Sequence, residues 1–203
     1  MREIVLIGGG GHARACLDVV RATGKYEVLG VLEKSAVESR ASSIGIPVIG
    51  GDAKMELLHE RGTSFLVAVG QTRSPFVRKS LFSQLAAISA DLPVITAPSA
   101  VVSPSGIIGI GTIVMHMAVI GPGAQVGYNC IINTRALIEH DAQVGPHCHV
   151  ATGAVVNGGC IVGEGSFIGS GAALKQGITV GRDALIGMGA VVRHDVADGE
   201  VVA

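Results

Sequence analysis

From Val102 to Val192 an aliphatic residue falls at every sixth position without a miss. The sixteen positions begin Val102, Ile108, Val114, Ile120 and end Leu174, Val180, Ile186, Val192. A fixed short period of this kind marks a repeat architecture, and a parallel β-helix in particular. Six is even, so on an extended chain the sixth residue returns to the same face. Two or three extended residues and a turn make one flat side of a prism. Three sides close a coil of eighteen residues. Sixteen hexads then make about five coils, ~25 Å of stack at ~4.8 Å each. Each coil buries its apolar face only against its neighbours, so the array is stable as a stack.

Four residues after each aliphatic comes a mostly small residue, such as Ala118, Ala136, Ala154 and Ala172. This slot is expected to form the tight corners, and glycines such as Gly121 and Gly145 directly follow many of the aliphatics. Cys130, Cys148 and Cys160 fall in the same slot and read as alanine-like filler, not as a disulfide, redox or metal set. Cys16 lies on an expected helix and reads as core.

Residues 1–96 show no hexad. Strands are expected at 3–7, 26–32, 47–49, 65–69 and 94–96, and helices at 13–23, 53–61 and 76–87. That alternation predicts a parallel α/β layer. The fold class is therefore α/β plus β: a small Rossmann-like domain over 1–96, then a parallel β-helix over 97–203. Pro93, Pro98 and Pro104 punctuate the passage. The loop Gly8-Gly9-Gly10-Gly11-His12-Ala13 follows the first strand and nearly matches the dinucleotide fingerprint. Bare backbone N–H groups at a helix N-terminus favour a phosphate. Glu33, at the end of the second strand, suits a ribose hydroxyl. A tight turn without a ligand fits the same residues. A nicotinamide enzyme would need about twice this N-terminal half.

Net charge is −1, so no basic field attracts nucleic acid or an acidic membrane. No apolar run reaches the ~20 residues needed to span a bilayer. The apolar run at 4–7 meets glycine at once, which is not a signal-peptide pattern. A cytoplasmic protein without nucleic-acid or membrane partners is expected.

The two halves together resemble a family of hexapeptide-repeat sugar acetyltransferases. Its branches include the sialic acid O-acetyltransferases and the UDP-4-amino-sugar N-acetyltransferases. The stretches that carry the resemblance begin with Leu6-Ile7-Gly8-Gly9-Gly10-Gly11-His12 and Val67-Ala68-Val69-Gly70. They continue with Ala97-Pro98-Ser99-Ala100-Val101-Val102-Ser103 and Ile132-Asn133-Thr134-Arg135-Ala136-Leu137-Ile138-Glu139-His140-Asp141. The resemblance implies a left-handed β-helix and a homotrimer. It implies acetyl-CoA bound by the β-helix and a nucleotide sugar bound by the N-terminal domain. Gly10, Gly11 and His12 match the loop that holds the acceptor's phosphate region. Glu33 and Lys34 match an acidic pair at the nucleoside, and Gly70 matches a glycine at the end of the fourth strand. His149, Ser170 and Met188 match positions that contact acetyl-CoA. Thr152, Ser170 and Met188 stand eighteen apart, so they stack on one prism edge. Family members usually continue with a glycine-x-proline-alanine segment near acetyl-CoA where this sequence reads Val201-Val202-Ala203. Acetyl-CoA affinity is expected to suffer if that segment is missing.

His140 lies two residues past Ile138, at a corner where it faces outward. An amine or hydroxyl must lose a proton as it attacks a thioester. Histidine, with an ordinary pKa near 6.5, is suited to take it. Asp141 is the expected partner of the ring, with Glu139 competing. The expected activity is acetyl transfer to the amino group of a nucleotide-linked amino sugar. An O-acetyltransferase of sialic acid or a related sugar, or a non-catalytic sugar-binding trimer, are the alternatives. His116, His140, His147 and His149 lack the five-residue spacing of the zinc-binding hexapeptide-repeat carbonic anhydrases, so no metal is expected. His147 is expected on the surface.

Overall fold

The computed structural model describes residues 1–33 and 44–203, and Lys34 lies outside the described residues. The N-terminal layer holds β1 (Arg2–Ile7), α1 (Gly11–Ala22), β2 (Tyr26–Leu32), β3 (Val48–Gly50), α2 (Met55–Glu60), β4 (Ser64–Val67) and α3 (Phe76–Ala87). The strands are parallel in the order β3-β2-β1-β4. Alternation on β1 decides what covers each face. Ile4 and Leu6 share a cluster with Ala13, Leu17 and Val20 of α1 and with Ile113, Met115 and Ile131 further along the chain. Val5 and Ile7 pack with Leu58 of α2 and Leu81 and Leu85 of α3. Both faces are buried, as a parallel sheet requires.

From Ile95 onward the chain forms a prism of three parallel walls built from two-residue strands. Wall one runs from Ile95–Thr96 to Val201–Val202, wall two from Val101–Val102 to Val191–Val192, and wall three from Ile107–Ile108 to Thr179–Val180. Stacked strands pair eighteen residues apart, as Gln125 does with Ile107 and Gln143. The strand Ile95–Thr96 pairs with Ile113–Val114 and so belongs to the prism, not to the N-terminal layer as expected. Thr96 stands six before Val102, and its hydroxyl hid it from a pattern of aliphatics.

The hexad aliphatics fill the prism interior. The small residues four further on do so too: Ala118, Ala136, Ala154 and Ala172 are fully buried. They line the interior and do not make the corner. The corner is the residue before them. From Gly111 to Gly189 the third residue after each aliphatic has positive φ. Glycine fills many of these corners, but Met117, Asn129, Arg135, Asp141, His147 and Asp183 adopt the same left-handed conformation. The small slot also carries a bond. Thr112 and Ser166 hydroxyls and the Cys130 and Cys148 thiols donate to the carbonyls of Gly127, Gly181, Gly145 and Gly163, each fifteen residues on. All four cysteines are free and buried.

The prism has three edges. The first, after wall one, carries Thr152, Ser170 and Met188. The second, after wall two, carries Pro122, His140 and Gly158. The third, after wall three, carries Asn129, His147, Gly165 and Asp183. The N-terminal layer covers wall one, where Ile113 and Ile131 are wholly buried, and leans on the third edge. The second edge is thus opposite the layer. Wall two presents only aliphatic side chains outward, and Val101 and Val191 are 62% and 66% exposed. Among the described residues no helix is long and apolar enough to cross a membrane.

Candidate active site

His140 stands at the second edge with its side chain 53% exposed. Neighbouring side chains on a straight strand diverge. Here Asp141 occupies the corner with φ +58, and that turn brings its carboxylate back beside the ring. His140 Nδ1 and Asp141 Oδ2 are 2.9 Å apart. Glu139 is engaged elsewhere, its Oε2 accepting the His140 backbone N–H at 3.2 Å. The corner is held by the neighbouring coils: Asp141 N donates to Pro122 O, and Gly159 N to His140 O. With Nδ1–H directed at the carboxylate, Nε2 carries the lone pair. The Asp141 hydrogen bond holds the His140 pKa above its ordinary value. The ring lies across Gly158, where an added Cβ would meet Nε2 at 2.5 Å.

His149 sits on wall one, buried under the N-terminal layer. Its Nδ1–H donates to Gln71 O at 2.5 Å, and its Nε2 faces Asn133 Nδ2 at 3.1 Å. Asn133 is oriented by Thr134 N, which donates to Oδ1 at 2.8 Å. The chain of donors fixes a neutral ring, and burial pushes the His149 pKa down to about 4. His149 therefore joins the two domains, with both nitrogens engaged inside the chain. Ser170 and Met188 are exposed on the first edge, separated from His140 by wall two.

The glycine loop divides in two. Gly8 has φ +96, and a Cβ there would meet Val69 at 2.6 Å. A Cβ on Gly9 would meet Glu33 Oε1 at 2.9 Å. The backbone itself requires glycine at Gly8, and at Gly9 a side chain would displace the Glu33 carboxylate. Gly10 and Gly11 have ordinary backbone, and a Cβ on either meets nothing within 4 Å. They leave open space at the start of α1, which has no side-chain cap and no acid in its first turn. Glu33 braces this loop, its Oε1 accepting Gly9 N–H at 2.9 Å. Burial lowers the His12 pKa to about 3, so His12 is neutral and brings no charge to a phosphate. Gly70 faces it, 3.3 Å from His12 Cβ by its would-be side chain.

One chain thus brings together Gly10, Gly11, His12, Glu33 and Gly70, and separately His140 and Asp141. It does not bring these groups to each other. Sequence reasoning missed Gln71, Asn133 and Gly158. It also placed His147 on the surface, whereas His147 is 6% exposed, bonded to Asn129 at 2.7 Å and packed edge-on to Phe82 and Tyr128. Among the described residues no three of His, Cys, Asp and Glu are gathered as a metal would need.

This combination of layer, prism and corner pair has known counterparts. Residues 3–85 match the PglD N-terminal domain, and 141–176 and 159–194 match the bacterial transferase hexapeptide repeat. The acetyltransferase domain of PglB from Neisseria gonorrhoeae, solved with acetyl coenzyme A, is 35% identical. The match covers 98% of this chain and 95% of that one with a TM-score of 0.91. A histidine-to-asparagine variant of perosamine N-acetyltransferase from Caulobacter crescentus, in complex with CoA and GDP-perosamine, is 36% identical. There the coverage is 99% and 93%, and the TM-score 0.91. WeeI from Acinetobacter baumannii, 20% identical with a TM-score of 0.75 over 100% of this chain and 97% of its own, shares the fold. No curated protein matches the chain in sequence. The chain belongs to the hexapeptide-repeat sugar N-acetyltransferases, enzymes with a Rossmann-like domain and a left-handed β-helix.

Proposed function

We propose that this protein transfers an acetyl group from acetyl-CoA to the amino group of a nucleotide-linked amino sugar, with His140 as the general base. The observation that carries this reading is the oriented pair: His140 Nδ1 on Asp141, Nε2 free at an exposed corner. As the amine attacks the thioester carbonyl, Nε2 takes its proton. The carbon–sulfur bond then breaks, and the imidazolium returns the proton to the leaving thiolate. Asp141 stabilises the imidazolium in between. The relatives solved with CoA and with a nucleotide sugar support the two substrates, and their amine chemistry favours nitrogen over oxygen as the acceptor.

On this reading the acceptor's phosphates lie at the open N-terminus of α1 beside Gly10, Gly11 and His12, with Gly70 across from them. Glu33 reaches the nucleoside through its second oxygen, and Lys34 follows it in the sequence. Acetyl-CoA runs along the first edge past Ser170 and Met188, and His149 holds the wall beneath. Because His140 is opposite the N-terminal layer, two copies must combine to complete one site. The aliphatic outer face of wall two suits that contact, and cyclic homotrimers close such an interface on itself. Four free thiols suit the reducing cytoplasm.

The test is His140→Ala, assayed by thiol release and product mass with nucleotide-linked amino sugars. Transfer should fall about 10²–10⁴-fold while oligomeric state and melting temperature hold. A variant as active as the wild type removes His140 from the mechanism.

A further inference from the structure

Arg78 is 1% exposed and, among the described residues, belongs to no ion pair. It stands on α3 in a stripe with Leu81, Phe82 and Leu85, all buried. A leucine or methionine at such a place would pack at lower cost, because a buried guanidinium must give up its hydration. What Arg78 adds is direction. Nη1 donates to Val67 O and, at 3.1 Å, to Val69 O. Nε donates to Asn129 O at 3.1 Å, and Asn129 Nδ2 returns a bond to Arg78 O at 3.4 Å. One side chain thereby ties the exit of β4 to the third prism edge. Gly70 is the next residue after Val69, and Gln71 repeats the tie. Its Nε2 donates to Gly165 O at 2.9 Å, and its own carbonyl accepts from His149.

Other rungs of the edge are also gripped by α3. Phe82 stacks on Tyr128 at 5.2 Å, and Lys79 pairs with Glu164 at 2.9 Å and Asp183 at 3.6 Å. Arg78 Nη2, Gln71 Oε1, Asn129 Oδ1 and His12 Nε2 are buried at this junction with no hydrogen-bond partner among the described residues. Hydrogen bonds fix register where apolar packing permits sliding.

We propose that Arg78, acting with Gln71, is a positioning residue for the acceptor: it sets Gly70 and the facing glycine loop at a fixed height over the prism. The proposal rests on the reading that the nucleotide sugar binds at that loop. Arg78 touches neither substrate.

The experiment compares wild type with Arg78→Met, Arg78→Lys and Gln71→Leu in the full-length protein. It measures KM for the amino-sugar nucleotide, KM for acetyl-CoA, kcat and calorimetric binding of CoA. Arg78→Met should raise the acceptor KM about tenfold or more, a change of ~1.4 kcal/mol. CoA binding should change less than about twofold, and Arg78→Lys should recover part of the loss. A purely structural Arg78 would lower kcat and melting temperature with both KM values unchanged, and that result overturns the proposal. If Arg78→Met fails to fold, Arg78→Lys and Gln71→Leu carry the same comparison, and an unchanged acceptor KM in both overturns it. Wild-type protein that neither binds nor acetylates any nucleotide-linked amino sugar sinks the acceptor reading itself. Wild-type turnover with acceptor KM unmoved in every variant sinks only the role of Arg78.

Discussion

His140 and His147 stand seven residues apart on neighbouring edges of the same prism, next to or at corners of identical left-handed geometry. Their surroundings are opposite. The second edge is open, so His140 keeps water and gains a carboxylate. The third edge lies under α3, so His147 is enclosed by Phe82, Tyr128 and Asn129. Asp141 pushes the pKa of His140 up, while burial pushes that of His147 down to about 4. The repeat makes equivalent corners, and the elements laid over them decide which histidine can exchange protons.

That contrast can be broken by deletion. His140→Ala should cost about 10²–10⁴ in kcat, the usual weight of a general base, with stability unchanged. His147→Ala should do the reverse. It should cost about 2–4 kcal/mol of stability through the cavity and the one Asn129 N–H left without its acceptor, with kcat per folded molecule kept. Equal losses of activity in the two variants would erase the distinction.

Acid should separate the edges next. His12, His147 and His149 have folded pKa values of about 3, 4 and 4, below the unfolded 6.5. As pH falls below 6.5 the unfolded chain binds the protons first. The stability these groups contribute is therefore complete above pH 6.5 and is lost as pH falls toward 4. Each contributes a slope of about 1.4 kcal/mol per pH unit in that window. Melting curves between pH 7.5 and 5 should show the loss, and His147→Gln should flatten it.

At the open edge the sign is reversed. On the proposed mechanism only neutral His140 takes the amine's proton, so the rate should fall on the acid side at a pH above 6.5. Asp141→Asn should move that limb downward and lower kcat, and an unmoved limb would free His140 from Asp141. The smallest effects belong to Gly158, Gly10 and Gly11. Gly158→Ala should tilt the His140 ring off Asp141 and lower kcat about tenfold, ~1.4 kcal/mol in the barrier. Gly10→Ala and Gly11→Ala should leave folding intact and weaken only acceptor binding, whereas Gly8→Ala should unfold the loop. Binding unaffected at Gly10 and Gly11 would move the acceptor elsewhere.

Much of this was legible in the residues. The hexad gave the prism, and β1, β2 and α3 fall within a residue or so of expectation. The left-handed corners were half hidden, because glycine announces them at Gly153 or Gly171 while Asn129, Asp141 and His147 do not. Arg78 did leave a trace. It sits where the i, i+3, i+4, i+7 stripe of α3 asks for an apolar residue. A charge in such a stripe signals a directed bond across an interface, but its partners cannot be read from spacing.

The sequence by itself determined the repeat, its eighteen-residue coil and the place of His140 on a corner, because these depend on local geometry that recurs at fixed intervals. The tertiary structure alone decided which prism edge α3 covers, that Glu33 braces the glycine loop, and that His149 links the two domains. It also set His140 on the edge opposite the layer that carries the glycine loop. Those facts depend on contacts between residues far apart in the chain, as between Gln71 and Gly165 or Arg78 and Asn129, and no local period records them.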